Sequence, residues 1–196
     1  MKKVIVALII LLLVIGIASH GFQGDDKKML TGLHHVEINV KNEGTISLEL
    51  DANTAPITVT NFINLANSGF YDGLTFHRIM KGFMVQGGDP EGNGFGGSDE
   101  TIKGEFSANG VKNDISHVRG VISMARNSLS MDSASSQFFI VHQDSTFLDG
   151  QYAAFGHVTA GMNIVDKLAE NTQVEDNNGT VLKENQPIIE SIKVVD

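Results

Sequence analysis

From residue 36 to residue 195 the chain breaks into short apolar runs punctuated by glycine, and the period of those runs commits it to a mainly β fold. Val36, Ile38 and Val40 alternate with polar neighbours, and Ile46, Leu48 and Leu50 repeat the pattern after Asn42-Glu43-Gly44. Alternation places each apolar set on one face of a strand, and two such runs around a glycine turn read as a β-hairpin. Further strands are expected over 74–80 and 83–86, broken by Lys81-Gly82, and over 121–125, 138–142, 153–158 and 188–195. Residues 87–97 read as a glycine-rich loop. Two segments switch to helical spacing. In the first, Thr54 is the expected cap, Pro56 sits in the first turn, Val59, Phe62, Ile63 and Ala66 share a face, and Ser68-Gly69 ends it. Met162, Val165, Leu168 and Ala169 form the second. Many strands and two separated helices point to a closed β-barrel capped by helices, which leaves no sheet edge exposed.

At 196 residues with 41% hydrophobic content, the chain has material for one ordinary domain with a sizeable core. Its formal charge is −9, and leaving out the two lysines of the first 24 residues takes it to −11. No basic stripe opposes that balance, so nucleic acid is excluded as a partner. The absence of cysteine excludes disulfides, thiol catalysis and cysteine-based zinc sites. Lys2 and Lys3 precede an apolar run from Val4 to Ala18, the layout of a secretory signal's basic and hydrophobic regions. The run is short for a membrane span, which takes roughly 17–25 residues. Ala18-Ser19-His20 makes a poor cleavage site. Residues 1–20 are therefore expected to be a signal peptide or an N-terminal membrane anchor, 21–32 a polar tether and 33–196 the folded domain. An extracytoplasmic protein follows, anchored by that segment or secreted after its cleavage. A monomer is expected, with the membrane touched only through the N-terminal segment.

Several motifs carry less than they first offer. Gly92-Asn93-Gly94-Phe95-Gly96-Gly97 fits the dinucleotide fingerprint literally, but Asp99 and Glu100 follow where a helix with an apolar stripe is required. His34 and His35 are adjacent and on a strand would face opposite ways. His77, His117, His142 and His157 lack metal-ligand spacing. Ser133, Ser135 and Ser136 lie near no nucleophile elbow. Arg78 is more informative, because strand alternation sets it on one face with Leu74 and Phe76, inside an apolar run. Its stem could simply lie along the sheet with the head in water, or the charge could have work to do.

The stretch from Phe76-His77-Arg78 through Phe83-Met84-Val85-Gln86-Gly87-Gly88-Asp89 closely resembles the cyclophilin signature. Ser123-Met124-Ala125-Arg126, Ser136-Gln137-Phe138-Phe139-Ile140, Phe147-Leu148-Asp149-Gly150 and Phe155-Gly156 resemble the family's other blocks, in order. The resemblance covers residues 36–195. It implies an eight-stranded antiparallel barrel with two capping helices and, as the reaction, peptidyl-prolyl cis–trans isomerisation. Rotation about X–Pro meets an amide-resonance barrier of about 18–20 kcal/mol. No nucleophile, metal or cofactor is needed to lower it.

By the family's pattern Arg78 is the central catalytic residue, with Gln86 positioning it. Phe83, Met84, Phe139 and Leu148 form the pocket for the proline ring, and Ala125, Arg126 and Gln137 the groove for the residues before proline. Apolar residues of that size could equally be plain core. The implied partners are proline-containing polypeptides, among them unfolded exported proteins. A chaperone that binds proline without turnover, and an exported hydrolase using Ser133, Ser135 or Ser136, remain as other readings. A donor inside an apolar groove favours the enzyme. Three positions depart from many eukaryotic relatives: Arg126 stands where they have Asn, Tyr152 where they have His, and Phe147 where they carry the Trp tied to cyclosporin binding. Weak inhibition by cyclosporin in a proline-isomer assay is therefore expected, and nanomolar inhibition would contradict it.

Overall fold

The computed structural model describes residues 28–196. The expected signal or anchor over 1–20, and most of the tether, lie outside the described residues. Tether residues 28–32 already hold the body: Leu30 N donates to Thr60 Oγ1 (2.9 Å) and Gly32 N to Asn53 Oδ1 (3.0 Å).

Eight strands follow in chain order: β1 (Leu33–Val40), β2 (Gly44–Asp51), β3 (Thr75–Met80), β4 (Met84–Asp89), β5 (Val121–Met124), β6 (Phe138–Val141), β7 (Ala154–Ala160) and β8 (Ile189–Val194). Two helices, α1 (Pro56–Asn67) and α2 (Met162–Asn171), complete a mainly β architecture. All pairings are antiparallel, in the order β3-β4-β6-β5-β7-β2-β1-β8. The sheet curls until the first residues of its two end strands meet, with Phe76 N donating to Pro187 O (2.9 Å) and Ile189 N to Leu74 O (2.7 Å). The expected β1–β2 hairpin is present, with Ile38 opposite Ile46 and Val36 opposite Leu48.

Alternation sorts the apolar residues into two separate clusters. Val36, Ile38, Ile46, Leu48, Leu50, Val85, Ile122, Phe138, Ile140 and Phe155 face inward, where Phe62 of α1 meets Phe138 edge-on (centroids 5.4 Å) and Phe155 (5.2 Å). Their strand neighbours Met84, Val121, Phe139, Val141 and Ala154 face outward and gather with Leu148 into a second cluster. A sheet with apolar residues on both faces must cover the outer one, which here carries Phe83, Tyr152 and Ala125 at its rim.

Two local expectations are corrected. Thr54 does not cap α1: its hydroxyl donates to Asp51 Oδ2 (2.6 Å), and Ala55 is the cap, with no side-chain hydrogen bond. The free helix N–H groups are met from 47 and 48 residues away by Glu105, which is 2% exposed. Its carboxylate accepts from Ile57 N (3.0 Å), Thr58 N (2.8 Å) and Thr58 Oγ1 (2.7 Å), and a negative charge suits that end of the helix. The second correction concerns Gly87 and Gly88, which belong to β4 rather than to the loop. A Cβ on Gly87 would sit 2.8 Å from Thr75 O, and one on Gly88 2.6 Å from Ser136 O, so only glycine lets the chains pack this closely. Short 3₁₀ turns at Ser107–Asn109, Thr146–Leu148 and Lys183–Asn185, which the apolar spacing does not announce, complete the connections.

Replacing Glu105 by Ala leaves two helix N–H groups and a buried hydroxyl unsatisfied, and is expected to cost about 2–4 kcal/mol of stability in urea unfolding. An unchanged midpoint would show that water takes over the cap.

Candidate active site

Arg78 leaves the core because β3 carries a bulge. Phe76 pairs with Gly87 and Arg78 with Gln86, so two residues of β3 are spanned against one of β4 and His77 is the extra residue. A bulge changes the parity of the strand. Phe76 and Ile79 are therefore both fully buried in the inner core, and Arg78 emerges on the outer face beside the second cluster. The expected common face of Phe76 and Arg78 does not exist.

The guanidinium is held from two sides. Nε donates to Asn178 O (2.8 Å) and Nη2 to Asn178 Oδ1 (3.1 Å), with Met80 Sδ also within 3.1 Å of Nη2, while Nη1 donates to Gln86 Oε1 (3.2 Å). Gln86 Nε2 passes a hydrogen bond to Gln137 Oε1 (2.9 Å), and Gln137 Nε2 donates to Gly96 O (2.7 Å) and Gly94 O (3.1 Å). Each amide is oriented by the one before it, and the chain of bonds runs from Arg78 into the glycine-rich loop. Burial pulls Arg78 below the ordinary arginine range, opposed by Tyr152 and Asp176, but a guanidinium stays charged there.

Beside this fork lies an open cavity of about 530 Å³ lined by Phe83, Phe139, Phe147, Leu148, Ala125, Arg126 and Tyr152 together with Arg78 and Gln86. Phe83 and Phe147 sit 5.6 Å apart, and Phe139 meets Tyr152 edge-on at 6.0 Å. A smaller cavity of about 170 Å³ adjoins it, lined by Gln137, Gln86, Ala125 and Arg126. Of the eleven site residues expected from the sequence, the structure brings nine around the larger cavity and Gln137 into the smaller one. Met84, 1% exposed, is packed in the outer cluster and lines neither.

Sequence reasoning missed Asn178, Thr180, His77 and the wall Gly92–Phe95. The loop bearing Asn178 reaches β3 through Ile79 N to Gly179 O (2.8 Å) and Val181 N to His77 O (3.0 Å), about a hundred residues away in the chain, so no local signal marks it. The wall is shaped by Asp89, whose carboxylate accepts from Glu91 N (2.8 Å), Asn93 N (3.0 Å) and Gly94 N (2.6 Å). The 92–97 glycine motif thus wraps a carboxylate of its own chain, and no helix directly follows it.

The serines do not assemble a hydrolase. Ser136 Oγ donates to Gly88 O (2.7 Å) and Ser133 Oγ to Ser130 O (2.8 Å), and no histidine lines the small cavity that Ser135 faces. A serine–histidine–aspartate series does occur elsewhere: His117 Nδ1 lies 2.8 Å from Asp149 Oδ1 and Nε2 3.0 Å from Ser123 Oγ. Ser123 is fully buried and His117 stacks behind Phe139, so no substrate carbonyl can reach that hydroxyl. The series braces the pocket wall behind Phe139. Burial acts against the Asp149 charge, yet hydrogen bonds from Ser116 and His117 hold it below the usual carboxylate range. His34 and His35, expected to diverge, both reach the Asp196 carboxylate (2.5 and 3.3 Å), because the chain's last residue closes over the end of β1. Among the described residues no group of three or more His, Asp or Glu side chains could hold a metal ion.

Fold and site together define a curled antiparallel β protein with an apolar groove and a fixed guanidinium donor on its outer face. Residues 35–194 match the family model described as cyclophilin type peptidyl-prolyl cis-trans isomerase. Peptidyl-prolyl cis-trans isomerase B of Bacillus subtilis is 45% identical over 139 residues, 71% of this chain and 87% of that protein. An isomerase of Helicobacter pylori is 43% identical over 136 residues, 68% of this chain and 80% of the other. The crystal structure of a Cryptosporidium parvum cyclophilin type isomerase, obtained in the presence of the dipeptide Ala-Pro, superposes with a TM-score of 0.73 at 31% identity, covering 83% of this chain and 99% of that one. The chain belongs to the cyclophilin-type peptidyl-prolyl cis–trans isomerase family, and its activity is that isomerisation, on proline-containing peptides.

Burial lowers both His77 and His117 below 6.5, with Arg78 adding to the effect on His77 while Asp89 opposes it, and with Asp149 opposing it on His117. Both ring nitrogens of His77 are buried with no hydrogen-bond partner of good geometry among the described residues. Below pH 6.5 the unfolded chain therefore binds more protons than the folded one, and stability falls as pH drops from 6.5. The unfolding midpoint is expected to decline between pH 7 and pH 5, less steeply in His77→Gln. An identical slope in the variant would show that His77 does not contribute.

Proposed function

We propose that Arg78 is the catalytic residue and that the chain isomerises X–Pro bonds in exported proteins during their folding. The observation that carries the first part is the guanidinium of Arg78, held beside an apolar cavity by neutral acceptors, with no carboxylate paired to it among the described residues. When the X–Pro amide twists, the prolyl nitrogen regains its lone pair and conjugation with the carbonyl is lost. A fixed cationic donor facing that nitrogen stabilises the twisted state more than the planar one, which is the only kind of interaction that speeds rotation. Lys would offer a mobile point charge in place of a held fork. Phe83, Phe139, Phe147 and Leu148 take the proline ring, and Met84 supports Phe139 from beneath. Ala125, Arg126, Gln137 and Tyr152 take the residues before proline. Holding the ring while the other side turns adds orientation to electrostatics.

Lys2 and Lys3 followed by the apolar run from Val4 to Ala18 support a location outside the cytoplasm, with that segment as the only membrane contact. The contact between the ends of β3 and β8 supports reading the sheet as a closed barrel, and a barrel without free edges favours a monomer.

Asn178→Ala removes one of the two Asn178 anchors on Arg78 and keeps the backbone one. In a peptide isomerisation assay kcat is expected to fall about 5–10-fold, the worth of one hydrogen bond, with KM within about twofold. A change confined to KM would contradict the positioning of a catalytic donor. Deleting residues 1–24 is expected to keep the protein in the cytoplasm, and an unchanged distribution on fractionation would overturn the proposed location.

A further inference from the structure

The chain has three arginines, and two of them, Arg78 and Arg126, line the same cavity. The third, Arg119, is paired with Asp166 (2.8 Å), and Lys81 with Glu170 (3.6 Å), Lys112 with Asp114 (3.1 Å) and Lys167 with Glu43 are ion-paired likewise. Arg78 and Arg126 have no such partner among the described residues, and no Asp or Glu lines either cavity. In a chain with 23 acidic and 14 basic residues, the lining of both cavities is free of carboxylates among the described residues, the carboxylate influence on Arg78 coming from Asp176.

The two arginines differ in what they leave free. Arg78 has four of its five N–H groups directed at Asn178, Gln86 and Met80, which leaves one on Nη1 for a substrate. Arg126 is fixed by Nε to Gln151 O (3.0 Å) and Nη1 to Asn127 O (2.9 Å), and its Cζ lies 4.8 Å from the Tyr152 ring centre and 5.3 Å from that of Phe106. Neutral carbonyls and ring faces hold the plane without neutralising the charge. Nη2 makes no hydrogen bond among the described residues. Arg126 lines the smaller cavity as well as the larger one.

We propose that Arg126 is a specificity-determining residue that selects substrates with an aspartate or glutamate one or two residues before the proline. This rests on the reading that the larger cavity takes the proline ring. A peptide carboxylate there meets a half-buried, preoriented guanidinium, the geometry in which a charge-assisted hydrogen bond is strongest. A basic side chain at the same place would meet like charge, and a neutral amide would gain only part of the interaction.

The test is a set of short X–Pro peptides differing only in Glu, Gln or Lys at each of the two positions before proline. Catalysed exchange is measured by NMR for wild type, Arg126→Gln and Arg126→Glu. Wild type is expected to show kcat/KM about 5–10-fold higher for Glu than for Gln at one of those positions, the typical advantage of a charge-assisted over a neutral hydrogen bond, with Lys lowest. That ratio should collapse to about one in Arg126→Gln and reverse in favour of Lys in Arg126→Glu. A Glu-to-Gln ratio near one in wild type, or a preference that persists in both variants, would overturn the assignment. Failure to accelerate even the Gln peptide would overturn the isomerase reading and the selectivity with it.

Discussion

The bulge at His77 is the constraint on which the site depends. An unbroken β3 would send Phe76 and Arg78 to the same face, and either a charge would enter the core or a phenylalanine would leave it. One extra residue lets Phe76 and Ile79 fill the interior while Arg78 turns outward. His77 takes the cost, buried under the glycine-rich loop with neither ring nitrogen hydrogen-bonded among the described residues. Leaving polar atoms unsatisfied in this way costs stability, and the return is an arginine on a rigid strand rather than on a mobile loop.

Around that arginine the outer face of the sheet is built by the same alternation that builds the core. Phe138 and Ile140 point in, while Phe139 and Val141 point out. The outward set cannot face water in bulk, so Leu148, Phe83 and Tyr152 cover it and leave a cavity the size of a short peptide segment. Asp149, His117 and Ser123 stiffen the wall from behind, and Gln86 and Gln137 tie Arg78 to the loop opposite. Apolar floor and polar fork are thus fixed by separate sets of contacts.

Much of this was legible in the residues. The β1–β2 hairpin follows from two alternating runs around a glycine turn, and both helices from their apolar spacing. Ten of the eleven expected site residues reach the two cavities, an outcome that depended on family resemblance, because apolar residues such as Phe139 and Leu148 read as core on chemistry alone. What escaped is non-local. Glu105 caps α1 from across the chain, Asn178 reaches Arg78 over a hundred residues, and the bulge is a matter of pairing between two strands that neither sequence alone records. Gly87 and Gly88 read as loop because composition cannot distinguish a flexible glycine from one required by a close strand crossing. Met84 satisfied the family pattern yet lies beneath the cavity.

Arg78 is the centre of the account, and the most direct measurement is exchange NMR of a short X–Pro peptide at saturating concentration, with wild type beside Arg78→Ala, both shown to be folded. Uncatalysed exchange takes tens to hundreds of seconds. The account predicts exchange faster than this by orders of magnitude on wild type, and a return close to the uncatalysed rate on Arg78→Ala while the peptide still binds. Equal acceleration by both proteins would contradict it, as would a wild type that binds the peptide and leaves its exchange unchanged.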